Sequence, residues 1–288
     1  MILGIAVGIV VAVAGLAVCQ SLVGSSEHGR EPLTVGTGVG ESQTFDLADR
    51  STLTLNSDSE VALDLASKFR SVQLRKGEAL FEVAHDSARP FRVCVNRRLI
   101  IDLGTRFNVS ADGRSTTVSV TEGRIALGGT CSAGPSGELV VEGERGAGPD
   151  VHADAQVVIA AGYQVFLPDP SSGASPRIHR MSSAEMTRVL AWKDRLLMFY
   201  RTPLAEALNQ INRYFPRHLE IADPDLADLQ ISGTYHSSSQ SAILQMLHET
   251  YGLVPVGGDD PDSAVILLEK ERSRSPAGRP QIRSRPPR

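Results

Sequence analysis

The chain has 288 residues, 41% hydrophobic and 22% charged, which excludes a disordered chain and leaves room for about two domains. Aromatics at 5%, 26 glycines and 16 prolines, with Val, Thr and Ser recurring throughout, favour short strands and many turns over a helical bundle. A net charge of −4 argues against a dedicated nucleic-acid binder, and what is basic is confined to a tail, residues 272–288, with six arginines and no acid.

Between Met1 and Ser26 there is no charged residue, and Ile2 to Val18 is apolar apart from three glycines. At about 1.5 Å per residue such a run can just cross a hydrocarbon core of about 30 Å. A cleaved secretory signal begins with a basic region, and none is present, so residues 1–23 are predicted as one uncleaved transmembrane helix, followed by a linker over 24–33. Residues 34–168 then alternate with a period of two: Leu53 and Leu55, Val61, Leu63 and Leu65, Val72 and Leu74, Phe81 and Val83, Phe91, Val93 and Val95, Val118 and Val120, Ile125 and Leu127. Turn chemistry separates the runs at Asn56-Ser57-Asp58, Lys76-Gly77-Glu78, Ala88-Arg89-Pro90, Ala111 to Arg114 and Glu122-Gly123. Short strands with no helix between them predict an all-β domain, either a sandwich or a β-solenoid. Residues 128–150, rich in Gly, Ser, Pro and Glu, read as an extended loop or inserted hairpin, after which strands resume at 156–159 and 163–167.

Pro168 to Pro176 is punctuated as a linker, assigned to 169–190. Beyond it Leu196–Tyr200 reads as a strand, and Thr202-Pro203 as an N-cap followed by proline at the first helical position. Leu204, Leu208, Ile211 and Phe215 share one helix face. Strands at 219–221 and 229–235 follow, then a helix from about Ser239 with Ile243, Leu247 and Tyr251 on one face and Gly252 at its end, and a hairpin of 253–256 with 265–268 over 257–262. The order βαββαββ predicts a compact α/β module over 191–271, its helices on one face of a small sheet. Residues 272–288 carry four prolines among their arginines and are predicted to be a disordered basic tail.

Little here carries catalytic chemistry. Gly36 to Gly40 superficially resembles a phosphate loop but lacks a preceding strand and a Lys-Ser/Thr, so it reads as a turn. Seven histidines are scattered with no H-x-x-x-H pair and no G-x-S-x-G serine. Asp259, Asp260 and Asp262 lack the ligand spacing of a calcium loop, and the strand carboxylates Asp64, Glu78, Glu82 and Asp102 read mostly as a solvated face. No catalytic residue, metal site or cofactor is assigned. The three cysteines make no framework. Cys94 and Cys131 can bridge if the domain lies outside the cytoplasm, but Cys94, between Val93 and Val95, reads first as buried on the apolar face of a strand.

Several strings in this order resemble the FecR-type transmembrane sensors of bacterial cell-surface signalling. They are Thr44 to Ser51 and Leu53 to Ser57; Val72 to Ala84; Arg89 to Val93; Leu103 to Val109; and Val118 to Arg124. Ala191-Trp192-Lys193, Leu196–Phe199, Thr202–Leu208, Asn212-Arg213-Tyr214 and Ile231-Ser232-Gly233 resemble the family's C-terminal module, itself similar to the short N-terminal domain of secretins and TonB-dependent receptors. Within these strings Gly77, Glu78, Phe81, Pro90, Phe91, Gly104, Thr105, Phe107, Glu122, Gly123 and Trp192 read as structural, with the three glycines at turns and the three phenylalanines in the core.

The resemblance implies a single-pass inner-membrane protein, the bulk of its chain periplasmic. Such a protein relays the state of a ligand-loaded TonB-dependent outer-membrane receptor, commonly an iron–siderophore receptor, to an extracytoplasmic-function sigma factor by protein–protein contact. The strand Leu229–Tyr235, through Leu229, Ile231, Gly233 and Tyr235, is the expected acceptor of a strand from the receptor's signalling domain. The family's cytoplasmic sigma-binding arm has no counterpart ahead of Ile2, which points either to a start codon upstream of Met1 or to a variant that works beside a separate cytoplasmic partner. Two other classes compete with this reading: a membrane-anchored envelope or polysaccharide-contacting β protein, and a secreted hydrolase, which requires His and carboxylate side chains converging in a cleft.

Overall fold

A computed structural model describes residues 32–67, 69–134, 139–141, 157–256 and 265–271. The predicted transmembrane helix 1–23, residues 24–31 of the predicted linker, the predicted 257–262 turn and the predicted basic tail lie outside them. No helix among the described residues is long and apolar enough to cross a membrane.

The first part of the chain is a succession of strands: β1 (Leu33–Gly36), β2 (Gln43–Asp46), β3 (Thr52–Leu55), β4 (Glu60–Asp64), β5 (Arg70–Glu82), β6 (Phe91–Val95), β7 (Arg98–Asp102), β8 (Arg106–Asp112), β9 (Ser115–Glu122), β10 (Arg124–Ala133), β11 (Leu139–Val141), β12 (Val157–Ala160), β13 (Tyr163–Leu167) and β14 (Arg177–Arg180). They form a single curled sheet whose hub is β5. Residues 70–76 of β5 pair with β4 on one side and β6 on the other. Residues 77–82 pair instead with β3 and β8. One half of the sheet therefore runs β1-β4-β5-β6-β7-β10 and the other β2-β3-β5-β8-β9-β13-β14. The two halves face each other across one core of inward residues, among them Leu53, Leu55, Val61, Val72, Phe81, Phe91, Ile100, Phe107, Val118, Ile125 and Val165. In this domain β5–β6 is the only parallel pairing given among the described residues, so the architecture is a sandwich of two curled layers, not a solenoid of stacked parallel strands.

The sequence pattern reads Lys76-Gly77-Glu78 as a turn between two strands. The structure makes it a kink inside one thirteen-residue strand. The β4–β5 register slips there, with Glu60 opposite Lys76 but Val61 opposite Leu74, and Gly77 takes φ +88°. A Cβ at Gly77 would lie 2.2 Å from Ser59 Oγ and 2.6 Å from Ser59 Cα. Glycine is thus required both by the left-handed backbone and by the close approach. The readings of Gly104 and Gly123 as turn residues agree with the structure. They lie between β7 and β8 and between β9 and β10, and a Cβ on Gly123 would sit 2.2 Å from the Gly104 carbonyl oxygen.

The run Leu99-Ile100-Ile101 escapes a period-two reading because it is buried on both faces. Ile100 faces the main core, whereas Leu99 and Ile101 join Cys94, Ala126 and Cys131 in a second cluster outside that layer. A Cys94–Cys131 disulfide fastens β6 to β10 within it, so Cys94 is buried, as read, and bridged as well. The 128–150 segment contains a hairpin: residues 131–133 of β10 pair with β11. The segment 169–190, predicted as a linker, instead contains β14, paired with β13, and α1 (Ser183–Leu190), closed by a capping box of Ser182 and Glu185. All four side chains of β14 are exposed, so its sequence carries no alternation that marks a strand. The capping-box spacing was present in the sequence.

The remaining elements are β15 (Leu196–Pro203), α2 (Leu204–Asn212), β16 (His218–Ile221), β17 (Gln230–His236), α3 (Gln240–Tyr251), β18 (Leu253–Val256) and β19 (Val265–Lys270), the predicted βαββαββ order. They build two sheets, however, not one: β15–β17, and β16–β19–β18. Around a separate core pack Leu204, Leu208 and Ile211 of α2 and Ile243 and Leu247 of α3. Ser239 caps α3 and Gly252 ends it in the left-handed conformation, as read from sequence. Thr202 is not the cap of α2. Strand β15 runs on to Pro203, which occupies the cap position without a side-chain bond, and the first helical N–H groups donate instead to the carbonyls of Leu229 and Ala227.

One buried ion pair organises the first domain. Arg70 Nη1 donates to Asp49 Oδ2 at 2.7 Å with both side chains almost fully buried. Arg70 Nε donates to the Arg89 carbonyl at 2.7 Å and Nη1 also to the Ala84 carbonyl at 2.8 Å, and the guanidinium lies over the Phe91 ring. Burial works to raise the Asp49 pKa, but hydrogen bonds from Ser51 and Arg70 outweigh it and hold the carboxyl below its ordinary 3.8. A lowered folded pKa stabilises the protein above the unfolded value, so this contribution is expected to be complete near pH 5 and lost as pH falls through the lowered value. Arg70→Ala, which strands a buried carboxylate, is expected to lower unfolding stability by about 3–5 kcal/mol in urea titrations at pH 7. The difference from the wild type should shrink in the same titrations below pH 4.

Candidate functional site

Where the two cores meet, the contact is polar and buried. The turn between β3 and β4 brings Asn56 and Ser57, each 1% exposed, against the end of α2. Asn56 Nδ2 donates to the Tyr214 hydroxyl at 2.8 Å and to Glu78 Oε2 at 2.8 Å. Ser57 Oγ donates to the Arg213 carbonyl at 2.5 Å and accepts from the Gly40 N–H at 2.7 Å. Glu78, the residue after the kink, is the hub: its other oxygen accepts from Asn108 Nδ2 at 2.8 Å, and Arg213 Nη1 reaches it at 3.2 Å. Burial pushes the Tyr214 hydroxyl up to about 12, with the Glu78 charge adding to it, so the phenol stays protonated. A second ion pair at this boundary joins Lys193 to Glu82 at 3.4 Å.

The candidate docking strand is β17. Its only strand partner among the described residues is β15, leaving its other edge without a strand. Four of its neighbourhood's residues were predicted as contacts, and the structure corrects their use. Ile231 and Tyr235 are 0% and 3% exposed in the second core, Leu229 packs against it, and Gly233 is exposed but has no side chain. Alternation explains this: the apolar residues that marked the strand are its core-facing set, while Ser232, Thr234 and His236 face outward. What the strand can offer a partner is its backbone edge and these three polar residues. Gly233 has φ +149°, and a Cβ there would lie 3.0–3.3 Å from the Tyr235 ring. A bulge at Tyr200–Arg201 of β15 is held by the Arg201 N–H donating to Ser232 Oγ at 2.9 Å.

The other motif residues are structural in place. Phe81 stacks on Phe107 (5.1 Å between centroids) and meets Phe91 edge-on (6.0 Å). The Pro90 carbonyl accepts the Arg70 N–H, Thr105 donates to Asp102, and Gly104 N–H donates to the same carboxylate at 3.0 Å. Trp192 is buried in a 3-10 turn before β15, whereas Glu122 is exposed and paired with Arg106.

An open groove of about 640 Å³ lies along Glu82, His85, Thr105, Arg106 and Glu122. It holds one histidine and two carboxylates, and Arg106 pairs with both Glu82 and Glu122. Nearby Asp102, raised by burial, accepts from Thr105 and Gly104. Among the described residues no three His, Cys, Asp or Glu side chains gather as a metal site. Asn56, Ser57, Arg213 and Tyr214 are joint residues that sequence reasoning did not single out, although both halves of the joint lay inside quoted strings.

Two family models match the chain: FecR protein over residues 34–126 and FecR, C-terminal, over 196–254. Two crystal structures of a candidate anti-sigma factor from Parabacteroides distasonis ATCC 8503, at 2.50 Å and 1.65 Å, are similar in fold. Each has a TM-score of 0.61 and 21% identity, covering 83% of this chain and 99% of the other. No curated protein is a significant match.

Glu78→Ala removes the acceptor of three donors at the joint. It is expected to cost about 2–4 kcal/mol in chemical unfolding followed by the fluorescence of the single tryptophan, Trp192. Glu82→Ala, at the more exposed pair, should cost under about 1 kcal/mol.

Proposed function

The chain belongs to the FecR family, and from that premise we propose that it is a membrane-anchored sensor whose described part faces the periplasm. It relays the state of a ligand-loaded TonB-dependent outer-membrane receptor, of the kind used in iron uptake, to an extracytoplasmic-function sigma factor. It works by protein–protein contact and not by catalysis. The observation that carries this reading is the architecture of the second core: among the described residues β17 keeps one edge without a strand, outward of a buried apolar face, in a module tied to the β sandwich by a polar joint. An edge of this kind accepts an extended segment through main-chain hydrogen bonds.

Two further facts support it. The Cys94–Cys131 disulfide suits an oxidising compartment such as the periplasm. The fold shared with the candidate anti-sigma factor extends through both cores, since it covers 83% of this chain. The anchor is the apolar run Ile2–Val18.

The Ser237 N–H donates to the Arg195 carbonyl across the β15–β17 pair. Alternation then turns the Thr234 N–H away from β15, whereas the backbone of Ile231 turns toward it. Proline at 234 therefore removes an outward donor without touching a ladder bond, and it is the sharper test than proline at 231. Cells making the Thr234→Pro chain are expected to hold normal amounts of it yet lose ligand-induced, sigma-dependent transcription of the receptor gene. The purified chain should bind the receptor's signalling domain at least about tenfold more weakly. Unchanged induction and unchanged binding would remove β17 from the pathway.

A further inference from the structure

The outer edge of β17 is not open along its whole length. At Ser232 both backbone groups are taken by one side chain. The Ser232 N–H donates to the Tyr251 hydroxyl at 2.7 Å, and the same hydroxyl donates to the Ser232 carbonyl at 2.8 Å. A phenol is here doing what the opposing residue of a neighbouring strand would do, donating and accepting at one narrow pair. Tyr251 is the last residue of α3, immediately before the left-handed Gly252, so it hangs from a helix end. Its ring is only partly buried against the second core. Thr234 and His236, whose backbones face the same way by alternation, have no strand opposite them among the described residues.

We propose that Tyr251 is a removable plug on the docking edge: an incoming strand of the receptor's signalling domain takes over the two Ser232 backbone groups and displaces the hydroxyl. This rests on the reading of β17 as the docking strand and adds its regulation. In the unbound chain the plug satisfies the one outward pair next to the β15 bulge and blunts the edge against pairing with other chains. On docking, two side-chain hydrogen bonds are exchanged for two main-chain ones, while the positions of Thr234 and His236 gain bonds they lacked. The binding energy thus comes from the far part of the edge, and the plug sets a threshold that a short or misregistered strand does not pass.

Tyr251→Phe keeps the ring and deletes the hydroxyl. The experiment uses the full-length chain and, as probes, the isolated signalling domains of the TonB-dependent receptors made by the same cell. Affinity is read by calorimetry and the Ser232 amide by hydrogen exchange, with a thermal melt to confirm that the variant is folded. In the unbound variant the Ser232 amide is expected to exchange at least about tenfold faster than in the wild type. The cognate domain should bind the variant about fivefold more tightly, the value of one net hydrogen bond, and protect Ser232 in both complexes. If a domain binds but the variant binds it equally or more weakly, Tyr251 is a structural brace and the plug is overturned while the docking reading stands. If no domain binds the wild type, the docking reading falls and the plug falls with it.

Discussion

The absence of a side chain at Gly77 is what lets one strand serve both layers of the sandwich. The β5 strand has to serve two layers, and it does so by turning through a left-handed residue pressed against Ser59. Before the kink its ladder partners are β4 and β6, and after it β3 and β8. The same kink delivers Glu78 to the surface of the sandwich at the place where the β3–β4 turn presents Asn56 and Ser57. Sandwich closure and the joint to the second core are therefore consequences of one backbone constraint.

The joint is polar and well buried, which gives it a character different from the apolar cores on either side. Apolar contact would tolerate sliding. A carboxylate that accepts from two asparagines and an arginine fixes one geometry and costs free energy in any other. It also ties Arg213 and Tyr214, at the end of α2, to the sandwich. Because the first N–H groups of α2 donate to carbonyls of the segment leading into β17, a displacement of β17 would pull on α2, and α2 on the joint. On the proposed function, that is a mechanical route from the β17 edge to the sandwich.

Much of this was legible in the sequence where side chains alternate on a half-buried strand, or where a cap and a terminal glycine bracket an amphipathic run, as in α3. Strands in two other environments were not. Arg98–Asp102 is buried on both faces and Arg177–Arg180 on neither, so neither shows a period. Resemblance to the family identified the strings that carry the joint, but a string does not say which of its residues meet across 158 positions of chain, as Asn56 and Tyr214 do. The docking residues show the same limit in reverse. Ile231 and Tyr235 stood out because they are apolar, and being apolar is why they are buried.

Joined through Glu78, the two cores are expected to open as one body. Native-state hydrogen exchange measures this directly, by comparing the slowest amides of β5 with those of α2 and α3 as denaturant is raised below the unfolding transition. Both sets are expected to merge into one opening with a common free energy, and in the Glu78→Ala chain the α2 and α3 amides to separate to a lower one. Separate openings in the wild-type chain, unmoved by the substitution, would contradict it.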